Sequence, residues 1–222
     1  SVEKDELRLN FCIDPIIKNL SVEGDFCCGT GDECFDTIVK LVKATADYKR
    51  VRVVNVSGAT FSNAGSTIVE ELAFTLSAAH DYLCKLMERG LTIDEAARKI
   101  RFTFAVTSNY FLEMAKFRAA RMLWANIVKA YNPEKNCACK MFAHAVTSTW
   151  NQTVYDPYVN MLRGTTEAMS AAIAGVHSLE VLPFDYAFEA PTEFSKRIAR
   201  NAQLLLKKES HFDQVIDPAG GA

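Results

Sequence analysis

Five short apolar runs, rich in β-branched residues, recur along this chain: Leu7 to Ile13, Val51 to Val56, Ile100 to Val106, Met141 to Thr147 and Ser178 to Leu182. They scarcely alternate between apolar and polar, which is the pattern of strands covered on both faces in a parallel sheet. A longer segment of helical period follows each of the last four. Strands alternating with helices confine the chain to the α/β class with right-handed crossovers.

The helices carry their own start and stop signals. Ile68, Leu72, Leu76, Leu83 and Leu86 form a stripe near the 3.6-residue period, with Glu70, Glu71, Asp81 and Lys85 off it. Gly90 is placed to end that helix. Thr92-Ile93-Asp94-Glu95 fits a capping box for a short helix. Leu112, Ala115, Ala119, Leu123 and Ile127 make a second stripe that stops at Asn132-Pro133. Asp156-Pro157 reads as an N-cap and first-turn proline for a helix reaching Gly175, and a last helix is expected from Pro191-Thr192 to Ser210. No low-complexity tract or Gly/Ser linker interrupts the 222 residues, so a single domain is expected, loosest between residues 14 and 34.

A closed βα barrel takes eight strand–helix units, typically in about 250 residues. At the unit length seen here, eight would need more than about 300 residues, and only five strands are visible. The chain begins at the charged Ser1-Val2-Glu3-Lys4-Asp5, which is no signal peptide and lacks Met, and it stops in Asp217-Pro218-Ala219-Gly220-Gly221-Ala222. The start reads as a processed or cut end, and the close as a loop entering something further. The expectation is an interior piece of a larger barrel or an open five-stranded sheet.

Charge narrows the partners. A net charge of -2 gives no broad footprint for nucleic acid, and no apolar run approaches the roughly 20 residues that span a bilayer. Seven cysteines, odd in number and irregular in spacing, read as free thiols in a reducing, cytoplasmic compartment. Cys27-Cys28 with Cys34, and Cys137-x-Cys139, lack the spacing of a zinc site. At the Gly29-Thr30-Gly31 turn, Asp32, Glu33 and Asp36 would satisfy the following helix start themselves and repel phosphate.

Sites in βα folds collect at the carboxyl ends of strands. Those positions hold Ser57-Gly58-Ala59-Thr60, Thr107-Ser108-Asn109, Thr147-Ser148-Thr149 and Pro183-Phe184-Asp185. They are mostly small hydroxyls that suit helix caps better than acid–base chemistry. Among the four histidines, His80, His177 and His211 fall on a helix or at helix ends. His144 is read as lying near the carboxyl end of a strand, as a pocket residue or a hydrogen-bonded core histidine. Glu113, Lys116, Arg118 and Arg121 are expected to form a charged helix face with i,i+3 pairs.

Several blocks carry a resemblance. They are Val56-Ser57-Gly58 with Ala64-Gly65, Glu71-Leu72-Ala73-Phe74-Thr75-Leu76, and Gly90-Leu91-Thr92-Ile93-Asp94-Glu95. Further blocks are Glu113-Met114-Ala115-Lys116-x-Arg118-Ala119-x-Arg121, Thr147-Ser148-x-Trp150, Asp156-Pro157-Tyr158-x-Asn160, Ser195-x-Arg197-Ile198-Ala199-Arg200-Asn201-x-Gln203 and Asp217-Pro218-x-Gly220-Gly221. In order, from about Val51 to the last residue, the chain resembles the substrate-type barrel of methylmalonyl-CoA mutases. Residues 1 to 50 match less well. The resemblance implies the second half of a TIM-type βα barrel, part of an isomerase that interconverts methylmalonyl-CoA and succinyl-CoA with adenosylcobalamin. In such chemistry the cofactor generates the radical and the protein positions and shields it.

The departures from the family pattern fall at its substrate-reading positions. Where catalytic chains continue the Ser-Gly block with Tyr-His, this sequence has Ala59 and Thr60; where they carry an Arg two residues before the histidine matching His144, it has Phe142. A strand-end His after Ser-Leu is replaced by Glu180, whose charge would repel an anionic CoA ester. The resemblance therefore implies the non-catalytic small subunit of a heterodimeric mutase, with adenosylcobalamin held by the large partner. No Asp-x-His-x-x-Gly cobalamin signature occurs in the sequence. Ala59, Thr60, Phe142, His144, Ser148 and Glu180 are the vestigial pocket, with no catalytic residue and no metal ligand. Two alternatives stay open: a divergent acyl-CoA mutase whose pocket is lined by Thr60, His144 and Ser148, and a metal or thiol protein built on the cysteines. Open strand edges imply that such a piece self-associates.

Overall fold

The structure, a computed structural model, describes residues 4, 6–18, 31–212 and 214–220. The Cys27/Cys28 loop lies outside the described residues. Strands β1 (Leu9–Ile13), β2 (Val51–Ser57), β3 (Ile100–Val106), β4 (Ala143–Thr147) and β5 (Ser178–Glu180) form one sheet in the order β1-β2-β3-β4-β5. The β1–β2 and β4–β5 pairs are parallel. Helices α1 (Pro15–Lys18) and α2 (Gly31–Ala44) precede β2. Helices α3 (Ala59–Asn63), α4 (Ile68–Glu88) and α5 (Ile93–Arg98) precede β3, and α6 (Tyr110–Lys129) precedes β4. Helix α7 (Val159–Ile173) leads to β5 and α8 (Glu193–Lys208) follows it. Sequential order is the topology of a barrel wall, whereas a doubly wound sheet reverses its order. The α/β class and the partial TIM-type barrel are thus borne out.

The chain forms two compact units: Ser1–Ser57, Ala73–Phe102 and Ala120–Phe142 in the first, and Gly58–Leu72, Thr103–Ala119 and Ala143–Ala222 in the second. In the first unit Val51, Val53, Leu83, Leu86 and Ile100 are buried, and Phe102 meets Trp124 edge-on at 4.8 Å. Buried Asp14 ties three segments together. It accepts from the Tyr82 hydroxyl at 2.7 Å, from Ile17 N–H at 3.2 Å and from Ser57 N–H at 3.0 Å. Gly90, at φ +85°, ends α4, and the capping box at Thr92 and Glu95 forms as expected. In the second unit Phe104 packs on Phe117 at 5.7 Å, and Ala168, Val181, Ala199 and Leu206 form the core between α7, α8 and the end of β5.

Two local expectations are corrected. Asp156 is not the N-cap of α7. Its carbonyl and that of Pro157 accept turn bonds from Val159 and Asn160 N–H, so the helix begins at Val159 with Tyr158 as a cap without a side-chain bond. Glu113 and Lys116 do not face solvent with Arg118. Both are buried. The reason lies in the sheet. Gly58 N–H still pairs with the Thr103 carbonyl at 2.8 Å, but the chain then turns into α3 and leaves Ala105 without a strand on that side. Glu71 Oε1 accepts the Ala105 N–H at 2.9 Å and Lys116 Nζ donates to the Ala105 carbonyl at 2.6 Å. Two side chains thus replace the missing strand partner, because an unpaired backbone group in the interior is costly. Arg118 stays at the surface and pairs with Asp217 at 2.5 Å.

Candidate functional site

The carboxyl ends of β2 and β4 carry the residues expected to line a pocket. After β2 the chain enters α3 at once, so Ala59 is the buried first residue of a helix and Thr60 is exposed on it. Asn63, the last residue of α3, accepts at Oδ1 from Ser148 Oγ and from Thr149 N–H, each at 3.2 Å. Ser148 Oγ in turn accepts from Trp150 N–H at 3.1 Å, and Thr147 Oγ1 accepts from Leu182 N–H at 2.8 Å. The hydroxyls at the end of β4 therefore tie loops together. Ser148 is fully buried and turned toward protein.

Beside this network lies Glu167 of α7, 2% exposed, whose Oε1 accepts from Asn151 Nδ2 at 2.5 Å. Burial above all, with the nearby Glu113 charge, pushes its carboxyl up to about 8. At neutral pH it is mostly protonated. Sequence reasoning missed it, because a glutamate in mid-helix resembles any solvated one. Asn63 was missed for the same kind of reason: its role depends on where α3 points.

His144 is corrected in place. It is the second residue of β4, three before the strand ends at Thr147, and not near the carboxyl end. The strand begins late, after a 3-10 turn at Asn136–Cys139. His144 Nδ1 lies 2.8 Å from Ser178 Oγ, and Nε2 lies 3.7 Å from Glu180 Oε2. The structure thus joins His144 and Glu180 on adjacent strands. The imidazole side chain is 10% exposed and Glu180 61%. Phe142 belongs to the first unit, where the Arg52 guanidinium lies over its ring at 4.9 Å. Burial, then Arg98, holds Arg52 below its usual value. An Arg inside the run Val51-Arg52-Val53-Val54 was the available sequence signal that one sheet face differs from the other.

Each of four expected pocket residues has a definite chemical setting. Ala59 offers only a methyl, Ser148 is consumed by Asn63, His144 is engaged by Ser178 and Glu180, and Phe142 is covered by a guanidinium. Among the described residues no three His, Cys, Asp or Glu side chains are grouped to hold a metal, and no helix is long and apolar enough to cross a membrane.

Fold and site together define a wall of consecutive βα units in which hydroxyls at the end of β4 make structural hydrogen bonds. Comparison with known proteins supplies the family. The family model for methylmalonyl-CoA mutase matches residues 2–222, and the chain belongs to that family. It is 50% identical over 183 residues to the methylmalonyl-CoA mutase small subunit of Porphyromonas gingivalis, covering 82% of this chain and 30% of that protein. It is 37% identical over 195 residues to the small subunit of Streptomyces virginiae (87% and 31%), and 40% identical over 173 residues to the large subunit of the same organism (78% and 24%). The chain thus spans less than a third of the length of these relatives.

The family uses cobalamin. The donor set described here does not fit it: the Asp-x-His-x-x-Gly signature is missing from the sequence, and His144, the histidine on the strands, already faces Ser178 and Glu180.

Proposed function

We propose that this chain is a barrel segment of the small subunit of an adenosylcobalamin-dependent methylmalonyl-CoA mutase. It supports the large, cobalamin-binding subunit in a cytoplasmic heterodimer and does no chemistry itself. The carrying observation is at the end of β2. Where catalytic chains of the family place a tyrosine and a histidine, Ala59 is the buried start of α3 and Thr60 is its exposed second residue. Neither a ring nor an imidazole is available to meet a thioester carbonyl. Phe142 under the Arg52 guanidinium and the closed Ser148–Asn63 bond support the same reading. The 50% identity to the small subunit of Porphyromonas gingivalis agrees with it.

The test is methylmalonyl-CoA isomerisation by the intact parent chain with adenosylcobalamin, with and without the large subunit. Turnover that requires the large subunit is expected. Turnover by the small chain alone overturns the reading. As strands at the ends of the sheet order, β1 and β5 each have one strand neighbour among the described residues, so the 222-residue piece is expected to self-associate. A monodisperse monomer in light scattering contradicts that.

A further inference from the structure

The loop between β4 and α7 is fastened near both ends. Asn63 Oδ1 accepts from Thr149 N–H at 3.2 Å, and the Trp150 ring lies against Gly65, where an added Cβ would meet it at 3.0 Å. Further on, Asn160 Oδ1 accepts from Thr153 N–H at 3.1 Å and Asn160 Nδ2 donates to the Thr153 carbonyl at 2.9 Å. Between these points Asn151 reaches Glu167 of α7. The loop tip carries Val154 and Tyr155, 57% and 97% exposed.

The Asn151–Glu167 contact differs from the others. Its 2.5 Å separation is short for N–H···O and ordinary for O–H···O. Asn151 Oδ1 is buried with no partner among the described residues. A half-turn of the amide, whose oxygen and nitrogen have nearly the same shape, gives that oxygen the Glu167 hydroxyl as donor. Burial above all, with the like charge of Glu113 on α6, favours the acid; the Asn151 amide, the Ser148 N–H and Arg163 on α7 favour the carboxylate more weakly. The Arg163 guanidinium is itself bonded to Asn160 Oδ1 at 2.9 Å, and Glu113 faces Lys116.

We propose that the Glu167 carboxylic acid is a proton-operated latch on the loop of residues 149–158: protonated it holds Asn151, and ionised it lets the loop open. On opening, the bond to Asn151 breaks, the proton goes to solvent and water reaches the carboxylate. Linkage sets the pH profile. The carboxyl is raised to about 8 with the loop closed and returns toward the ordinary 4.5 once water reaches it. Opening therefore increases about tenfold per pH unit up to about 8 and levels off above that. The latch is strongest in acid, as the sign of a raised carboxyl requires.

Limited chymotrypsin digestion of the intact parent chain tests this, with cleavage after Tyr155 identified by mass spectrometry. Cutting there requires the residues on either side to leave their hydrogen bonds, so its rate follows the open population. Comparing wild type with E167Q at each pH cancels the protease's own pH dependence. The wild-type to E167Q ratio is expected to rise about eightfold from pH 6.5 to pH 7.5 and to change by less than about twofold from pH 8.5 to pH 9.5. N151A should be cut severalfold faster than wild type at pH 6.5. Circular dichroism confirms that the variants are folded. A ratio that stays flat from pH 6.5 to pH 8.5, or N151A cut no faster than wild type at pH 6.5, overturns the proposal.

Discussion

Lys116 Nζ and Glu71 Oε2 stand 2.7 Å apart with side-chain exposures of 0% and 1%, and between them they hold both backbone groups of Ala105. Glu113 adds a second carboxylate. Its Oε1 accepts from Thr107 N–H at 3.0 Å and from the Thr107 hydroxyl at 2.6 Å. Its Oε2 lies 2.5 Å from Lys116 Nζ, close enough for an ion pair but off the line of a hydrogen bond. One cation thus faces two buried carboxylates at the point where β2 has left the sheet. Burial pushes the Glu71 carboxyl above its usual range even though Lys116 pulls it down.

Lys116→Met should therefore be among the most damaging single changes. It removes the ammonium 2.7 Å from Glu71 and 2.5 Å from Glu113, together with the donor to the Ala105 carbonyl, at a cost of about 3–5 kcal/mol. Urea denaturation measures it. The loss should be smaller at pH 5 than at pH 8, since a stranded carboxyl can protonate. A loss below about 1 kcal/mol would mean that the pair contributes little beyond packing.

Glu167 gives the fold a pH dependence of definite sign. Its folded-state value of about 8 lies above the ordinary 4.5. A raised carboxyl favours the fold where it is protonated in both states, and that contribution is lost as pH rises from 4.5 to about 8. Glu167→Gln should flatten this part of the stability–pH curve, gaining on the wild type by a few kcal/mol at most between pH 5 and pH 8.5. Parallel curves for the two proteins would show that Glu167 titrates normally.

Two glycines separate backbone strain from steric contact. Gly65, at φ +100°, would place a Cβ 3.0 Å from the Trp150 ring, whereas Gly90, at φ +85°, has nothing within 4 Å of that point. Gly90→Ala should cost about 1 kcal/mol, from the left-handed backbone alone. Gly65→Ala should cost more, and a Trp150→Ala background should bring the two penalties together. Thermal melts of the wild type and the four variants decide it.

His144→Ala and Ser148→Ala in the small subunit should leave kcat of the assembled mutase within about twofold of wild type at saturating large subunit. A group that acts as a general acid or base would cost about 100-fold or more. Weakened assembly would appear instead as a higher large-subunit concentration for half-maximal activity. A fall in kcat at full assembly would put these residues at the reacting centre.

Local signals carried much of this fold into the sequence. Periodicity located α4 and α6, start signals located α8, and short apolar runs located the five strands, because those patterns reflect the burial and termini of single elements. The Thr92–Glu95 capping box was legible because both partners lie within three residues. Family motifs exposed the changes at Ala59, Thr60 and Phe142, because they compare residues one position at a time.

Charge placement followed a different logic. Glu113, Lys116 and Arg118 have the same spacing signature as a solvated face, yet two are buried and one is not, since only the end of β2 decides which carbonyl at Ala105 goes unpaired. The position of His144 against Glu180 and the Ser148–Asn63 bond depend on strand register and on the direction of α3. The helices, strands and family are thus fixed by interactions a few residues apart. The burial of charge, the state of Glu167 and the closed ends of the strands arise only when distant segments compete for the same hydrogen-bonding groups.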